Sequence, residues 1–200
     1  MQSKSAKYLS LVIMLGAFIA FIYMTILALD RVSKTQIGTD EGIYTSYVSR
    51  SQEIQDKAHT LSQNCFSKLC QVQALLDYVT NIPYYTETFQ RYSASKIMAQ
   101  NFGDCDDKSN LLISLLHSLE IEAYFVLVPK HIFVIVPLQN QQLKRRKGLW
   151  INNRKYYILE STATASKIGF PLKYKLKEID TIIEPFANEK LNFQSIRYAR

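Results

Sequence analysis

Cysteine is scarce in this chain. There are three, with no Cys-x-x-Cys pair and no cysteine–histidine cluster at zinc-ligand spacing, so a metal site is not expected. No recognisable nucleic-acid motif accompanies the net charge of +7, and nucleic acid is not an expected partner. Internal repeats and low-complexity segments are also missing, which leaves one domain of ordinary size after a membrane segment is set aside. The odd cysteine count poses a pairing question. Cys65 and Cys70 stand five apart in CFSKLC, and Cys105 stands alone. In an oxidising compartment the near pair can close a short disulfide and leave Cys105 as the free thiol; the alternative is a pair of buried, reduced cysteines. Five residues along a continuous helix is too far for a bridge, so pairing requires a break near Ser67.

What the chain does contain begins with Tyr8 to Leu29, an uncharged apolar run that spans about 30 Å at helical rise. It is longer than a signal-peptide core and lacks an obvious small-residue cleavage site, so it reads as an uncleaved single-pass anchor. The organisation expected is a short tail at 1–7, a transmembrane helix at 8–29, a linker at 30–50 and one domain at 51–200. Lys4 and Lys7 flank one end of the run, and Arg31 and Lys34 the other. With so short an N-terminal tail, the domain is expected on the extracytoplasmic side. The basic cluster Lys144, Arg145, Arg146 and Lys147 is read as a solvated loop, with anionic lipid headgroups its nearest partner.

The domain is organised around residues 101–119, NFGDCDDKSNLLISLLHSL. Leu111, Leu112, Leu115, Leu116 and Leu119 recur at helical steps, with Asn110, Ser114 and Ser118 on the other side. A tight turn at Gly103–Asp104 leads into this helix, and the Asp104 carboxylate is suited to cap its first amides. Cys105 then sits at the positive helix end, which favours a thiolate, while Asp104, Asp106 and Asp107 act in the opposite direction.

Around that helix the pattern predicts helices over 51–61, 68–82 and 95–100, a tyrosine-rich loop over 84–92, and strands over 121–128 and 131–137 joined at Pro129–Lys130. A hairpin through Asn152–Asn153 joins 149–151 to 155–160. The last stretch, 169–200, reads as loop and a short helix packed on the domain edge. Cys105, His131 and Glu160 thus fall at a helix start, a strand start and a strand end. A nucleophilic cysteine needs an imidazole to take its proton, and the imidazole needs a carboxylate or amide to hold its tautomer. Neighbouring antiparallel strands can supply both.

The blocks GDCDDKSNLLISLLHSLEIEAYFV, HIFVIV and YYILEST, preceded by LLDYVTNIPYY, resemble the transglutaminase-like superfamily over about Gln71 to Thr162. The resemblance implies an α+β, papain-like core in which a central helix bearing the cysteine packs on an antiparallel sheet. It also implies that Cys105 attacks a carbonyl, His131 serves as base and then acid, Glu160 orients His131, and the Cys105 N–H is one oxyanion donor. The second donor is not readable from the sequence, and Tyr85 and Gln100 are only candidates for it. No cofactor or metal is implied. Glu160 and Ser161 stand where the family usually has aspartate and proline, and Glu120–Ile121 replaces a usual glycine. The expected substrate is a protein or peptide amide. Water as acceptor makes a peptidase or amidase, and an amine makes a crosslinking acyl transferase. The rival is a non-catalytic scaffold or binding domain with a partner in a membrane complex. His117 is expected at the surface.

Overall fold

The computed structural model describes residues 4–39, 42–86 and 92–200. Residues 1–3 of the expected tail, 40–41 of the expected linker and 87–91 of the tyrosine-rich loop lie outside the described residues. The chain divides into two units, residues 1–36 and 37–200. The first is helix α1 (Lys4–Thr35), in which Lys7–Leu29 is long and apolar enough to cross a membrane and has no buried share. The helix runs on through residues 30–35, which carry no proline or glycine to stop it.

In the second unit a small two-stranded sheet, β1 (Gln36–Thr39) and β2 (Gly42–Thr45), leads into an extended segment. Helices α2 (Gln52–Ser62), α3 (Lys68–Asn81), α4 (Ala94–Gln100) and α5 (Cys105–Ser118) follow. Cys65 and Cys70 are joined by a disulfide. The chain break that this pairing needs is there: α2 ends at Ser62, and Ser67 caps α3 by accepting the Cys70 N–H. Ile82–Pro83 ends α3, as proline requires.

The sheet is antiparallel and runs β8–β7–β3–β4–β6–β5–β9. Its strands are β3 (Tyr124–Val128), β4 (His131–Val136), β5 (Gly148–Ile151), β6 (Arg154–Leu159), β7 (Thr181–Glu184), β8 (Glu189–Lys190) and β9 (Ile196–Ala199). Lys130 turns the β3–β4 hairpin in the left-handed region, and Asn152 and Asn153 do so for β5–β6, the conformation that tight hairpins favour. Residues 169–200 depart from expectation. Beside loop and a single helical turn at Leu176–Glu178, they add three strands, β7 inside the sheet and β8 and β9 at its two edges, because each run is too short to show its period without the neighbour it pairs with.

Alternation divides the core in two. Phe125, Ile132, Val134, Val136 and Leu159 pack under the helices, with Leu111, Leu112, Leu115 and Leu116 of α5. Val126, Val128, Phe133, Ile135 and Ile158 face the other way and are covered by Phe170, Leu172, Tyr174, Leu176 and Phe193 from the C-terminal segment. Helix α5 is therefore central, and its polar side is buried too, contrary to the two-sided pattern in the sequence. Asn110 and Ser114 are about 1% exposed or less. Their side chains take the N–H groups of Tyr47 and Ser49, at 2.9 Å each, and so bind residues 44–50 of the expected linker to the domain. Buried polar groups are tolerated when bonded in this way.

Candidate active site

The Cys105 turn is built from backbone contacts on both sides. The Gly103 N–H donates to Pro83 O at 3.2 Å, and the Tyr85 N–H donates to Gly103 O at 3.1 Å. A Cβ on Gly103 would lie 2.8 Å from Asp107 Cβ, so this position takes glycine for space. The Asp104 carboxylate accepts the N–H groups of Asp106 and Asp107, while Asp107 accepts the Asp104 N–H in return. This reciprocal cap sets the first turn of α5 and leaves Cys105 half-buried at its tip.

Strand β4 delivers His131. Its side chain shares a sheet face with Phe133 and Ile135, and Glu160, just past β6, shares that face with Ile158. The strands are direct neighbours, with Val134 opposite Leu159. His131 Nε2 lies 2.9 Å from Glu160 Oε2, and the two side chains are 16% and 10% exposed. The other carboxylate oxygen accepts the Thr162 hydroxyl at 2.6 Å and the Thr162 N–H at 3.2 Å. Burial disfavours the charged carboxylate, but the bonds from His131 and Thr162 outweigh it and hold the Glu160 pKa below the usual range. Cys105 comes to the same end of the sheet, where the Ile132 N–H, one residue past His131, faces its sulfur.

The electrostatics of the thiol correct the simple helix-end argument. Burial, then the charges of Asp106 and Asp104, push the Cys105 pKa up to about 12, against the pull of the Ile132 and Asp106 N–H groups. The first-turn Asp106 N–H does pull the thiol down, but burial and the two neighbouring carboxylates outweigh it. The sulfur also lies 3.9 Å from Asp106 Oδ1.

Three supporting features carry no signal in the sequence. Lys108, one turn into α5, is 1% exposed; its Nζ donates to Ile82 O at 2.7 Å and to Thr80 O at 3.5 Å, at the end of α3. Burial lowers its pKa and the Glu160 charge opposes that. Ser109 and Ser161 share a hydrogen bond at 3.0 Å. Tyr174 stacks beside His131, with ring centroids 6.0 Å apart and 19° between planes. As for the candidate second donors, Gln100 gives its amide to Phe102 O at 3.0 Å, and Tyr85 packs edge-on against the Phe102 ring. His117 stands apart from the site, exposed and stacked on Phe186 at 3.8 Å.

A model of the transglutaminase-like superfamily matches residues 55–153, a stretch that holds Cys105 and His131 and ends before Glu160. No curated protein matches the chain. Among solved structures, a candidate cysteine protease from Cytophaga hutchinsonii is similar at 18% identity and a TM-score of 0.44, over 76% of this chain and 53% of that one. A candidate protease from Parabacteroides distasonis is similar at 11% identity and a TM-score of 0.46, over 72% of this chain and 28% of that one. The chain therefore spans about half the length of the first and just over a quarter of the second. By the family match, the chain carries, over residues 55–153, a domain of the transglutaminase-like superfamily.

Proposed function

We propose that this protein is a membrane-anchored, cysteine-dependent hydrolase that cleaves protein or peptide amides with Cys105 as nucleophile, His131 as general base and Glu160 as its orienting carboxylate. The observation that carries the reading is the 2.9 Å bond between His131 Nε2 and Glu160 Oε2, with the half-buried thiol held against the neighbouring Ile132 N–H. With Nε2–H donating to Glu160, Nδ1 is the ring nitrogen left to accept a proton. A thiol whose pKa stands at about 12 is protonated at rest, so its proton passes to His131 Nδ1 as the sulfur attacks, without a preformed thiolate. The C–S bond forms, the oxyanion is met by the Cys105 N–H, the C–N bond breaks, and the amine leaves with the proton from His131. Water, deprotonated by the same imidazole, then hydrolyses the thioester and frees the thiol.

The apolar helix at residues 7–29 supports a single-pass anchor. The Cys65–Cys70 disulfide supports an oxidising, extracytoplasmic side for the domain.

One observation favours a second reading. The same elevated thiol pKa suits a non-catalytic member that keeps the fold and holds a partner chain in its cleft. Alkylation separates the two. The full chain in detergent is treated with iodoacetamide across pH 6 to 10, and Cys105 is followed by peptide mass spectrometry in wild type, His131→Ala and Glu160→Gln. His131-assisted proton removal is expected to make wild type react at least about tenfold faster than His131→Ala at neutral pH. Equal, slow rates in all three leave the scaffold as the better reading.

A further inference from the structure

The segment after Glu160 returns over the sheet face that carries His131. Tyr174 lies on it at a bend, half-buried, packed against the second core cluster with Phe170, Leu172 and Leu176. Its ring is stacked near His131, at 6.0 Å and 19°, and near Phe133, at 6.4 Å and 13°. The three rings thus form one row, with the imidazole at the end where the thiol lies. Burial, then the charges of Glu160 and Cys105, push the phenol pKa up, which keeps its proton on and places it within electrostatic reach of both.

We infer that Tyr174 is a positioning residue for the proposed site, covering one face of His131 so that the ring plane stays fixed and the His131–Glu160 hydrogen bond stays out of water. The inference rests on the hydrolase reading above. An exposed imidazole rotates about two side-chain bonds and exchanges its carboxylate partner for solvent. An aromatic plate on one face removes that freedom, and in a drier setting a charge-assisted bond is stronger. Phe133 backs the plate from the strand. The groups that meet His131 are Glu160 from the end of β6 and Tyr174 itself, and Tyr174 is in turn within electrostatic reach of Cys105 at the tip of α5. The flat ring does this work, so phenylalanine is an adequate substitute and leucine, of similar bulk without the plate, is not.

The test extends the alkylation series to Tyr174→Phe, Tyr174→Leu, Tyr174→Ala and the double variant Tyr174→Leu/Glu160→Gln, in the full chain. Tyr174→Phe is expected within about twofold of wild type, and Tyr174→Leu and Tyr174→Ala slower by about fivefold or more at neutral pH. In the leucine background Glu160→Gln is expected to cost much less than it does alone, a coupling that loss of fold does not produce. Thermal unfolding of Tyr174→Leu close to wild type separates the effect from instability; if Tyr174→Ala fails to fold, the leucine pair carries the result. Leucine and wild type reacting alike across the pH range, while His131→Ala remains slow, overturns the role of Tyr174 and leaves the hydrolase reading intact. His131→Ala reacting as wild type overturns that reading, and this inference with it.

Discussion

The hydroxyls of Ser109 and Ser161 lie 3.0 Å apart, both fully buried, and join the helix that begins at Cys105 to the residue that follows Glu160. Removing one partner leaves a buried hydroxyl unbonded. Ser109→Ala is expected to lose about 1–3 kcal/mol of stability, and Ser109→Ala/Ser161→Ala to recover part of it, since deleting both partners strands neither. Urea unfolding of the three proteins decides it; a double variant worse than the sum of the singles would count against the bond.

Lys108 holds the end of α3 against α5 through Ile82 O and Thr80 O. Methionine matches its length but leaves both carbonyls unanswered in the interior. Lys108→Met is expected to cost about 1–3 kcal/mol. The loop after Pro83 should also loosen, because the Gly103 turn hangs on Pro83 O. Amide hydrogen exchange at Gly103 and Tyr85, faster in the variant, is the measurement; unchanged exchange would show that α3 is held by other means.

Asp107 is pushed up to about 6 by burial and by the Asp104 charge, against an unfolded value of about 4. A carboxyl raised in the folded state binds its proton more tightly there. Its contribution to stability is complete below about pH 4 and is lost as pH rises through about 6. Asparagine mimics the neutral form and keeps an acceptor for the Asp104 N–H. Asp107→Asn is therefore expected to gain stability relative to wild type between pH 4 and 7. Parallel urea midpoints for both proteins over that range would contradict the assignment.

The Cys65–Cys70 bridge closes a very short loop between α2 and α3, five residues apart in sequence. For a loop of that size the chain-entropy estimate is about 2 kcal/mol. Cys65→Ala/Cys70→Ala is expected to unfold at lower denaturant by that amount and to leave Cys105 alkylation unchanged, since the bridge is remote in sequence from the proposed site. A large loss of Cys105 reactivity would mean that α3 transmits the loop's order to the turn.

Much of the architecture was legible in the residues. The apolar stripes of α3 and α5, the proline stop at Pro83, the Asp104 cap and the Asn152–Asn153 hairpin are local patterns, and a local pattern acts over one or two turns whatever surrounds it. The places of Cys105, His131 and Glu160 at a helix start, a strand start and just past a strand end were legible for a related reason: such boundaries are written in sequence. Other features depended on neighbours far along the chain. The serines and asparagine of α5 look like a solvated flank until Tyr47 and Ser49 arrive to be bonded. The strands of residues 169–200 are too short to have a period of their own. The elevated thiol of Cys105 comes first from burial, which no spacing reports, and then from the charges of Asp106 and Asp104. Tyr174 meets His131 only because the segment after Glu160 returns over the sheet face on which the pleat places His131. Sequence by itself determined which groups are available for chemistry. Burial and long-range pairing, which exist only once the chain has folded on itself, decided how each is charged, held and covered.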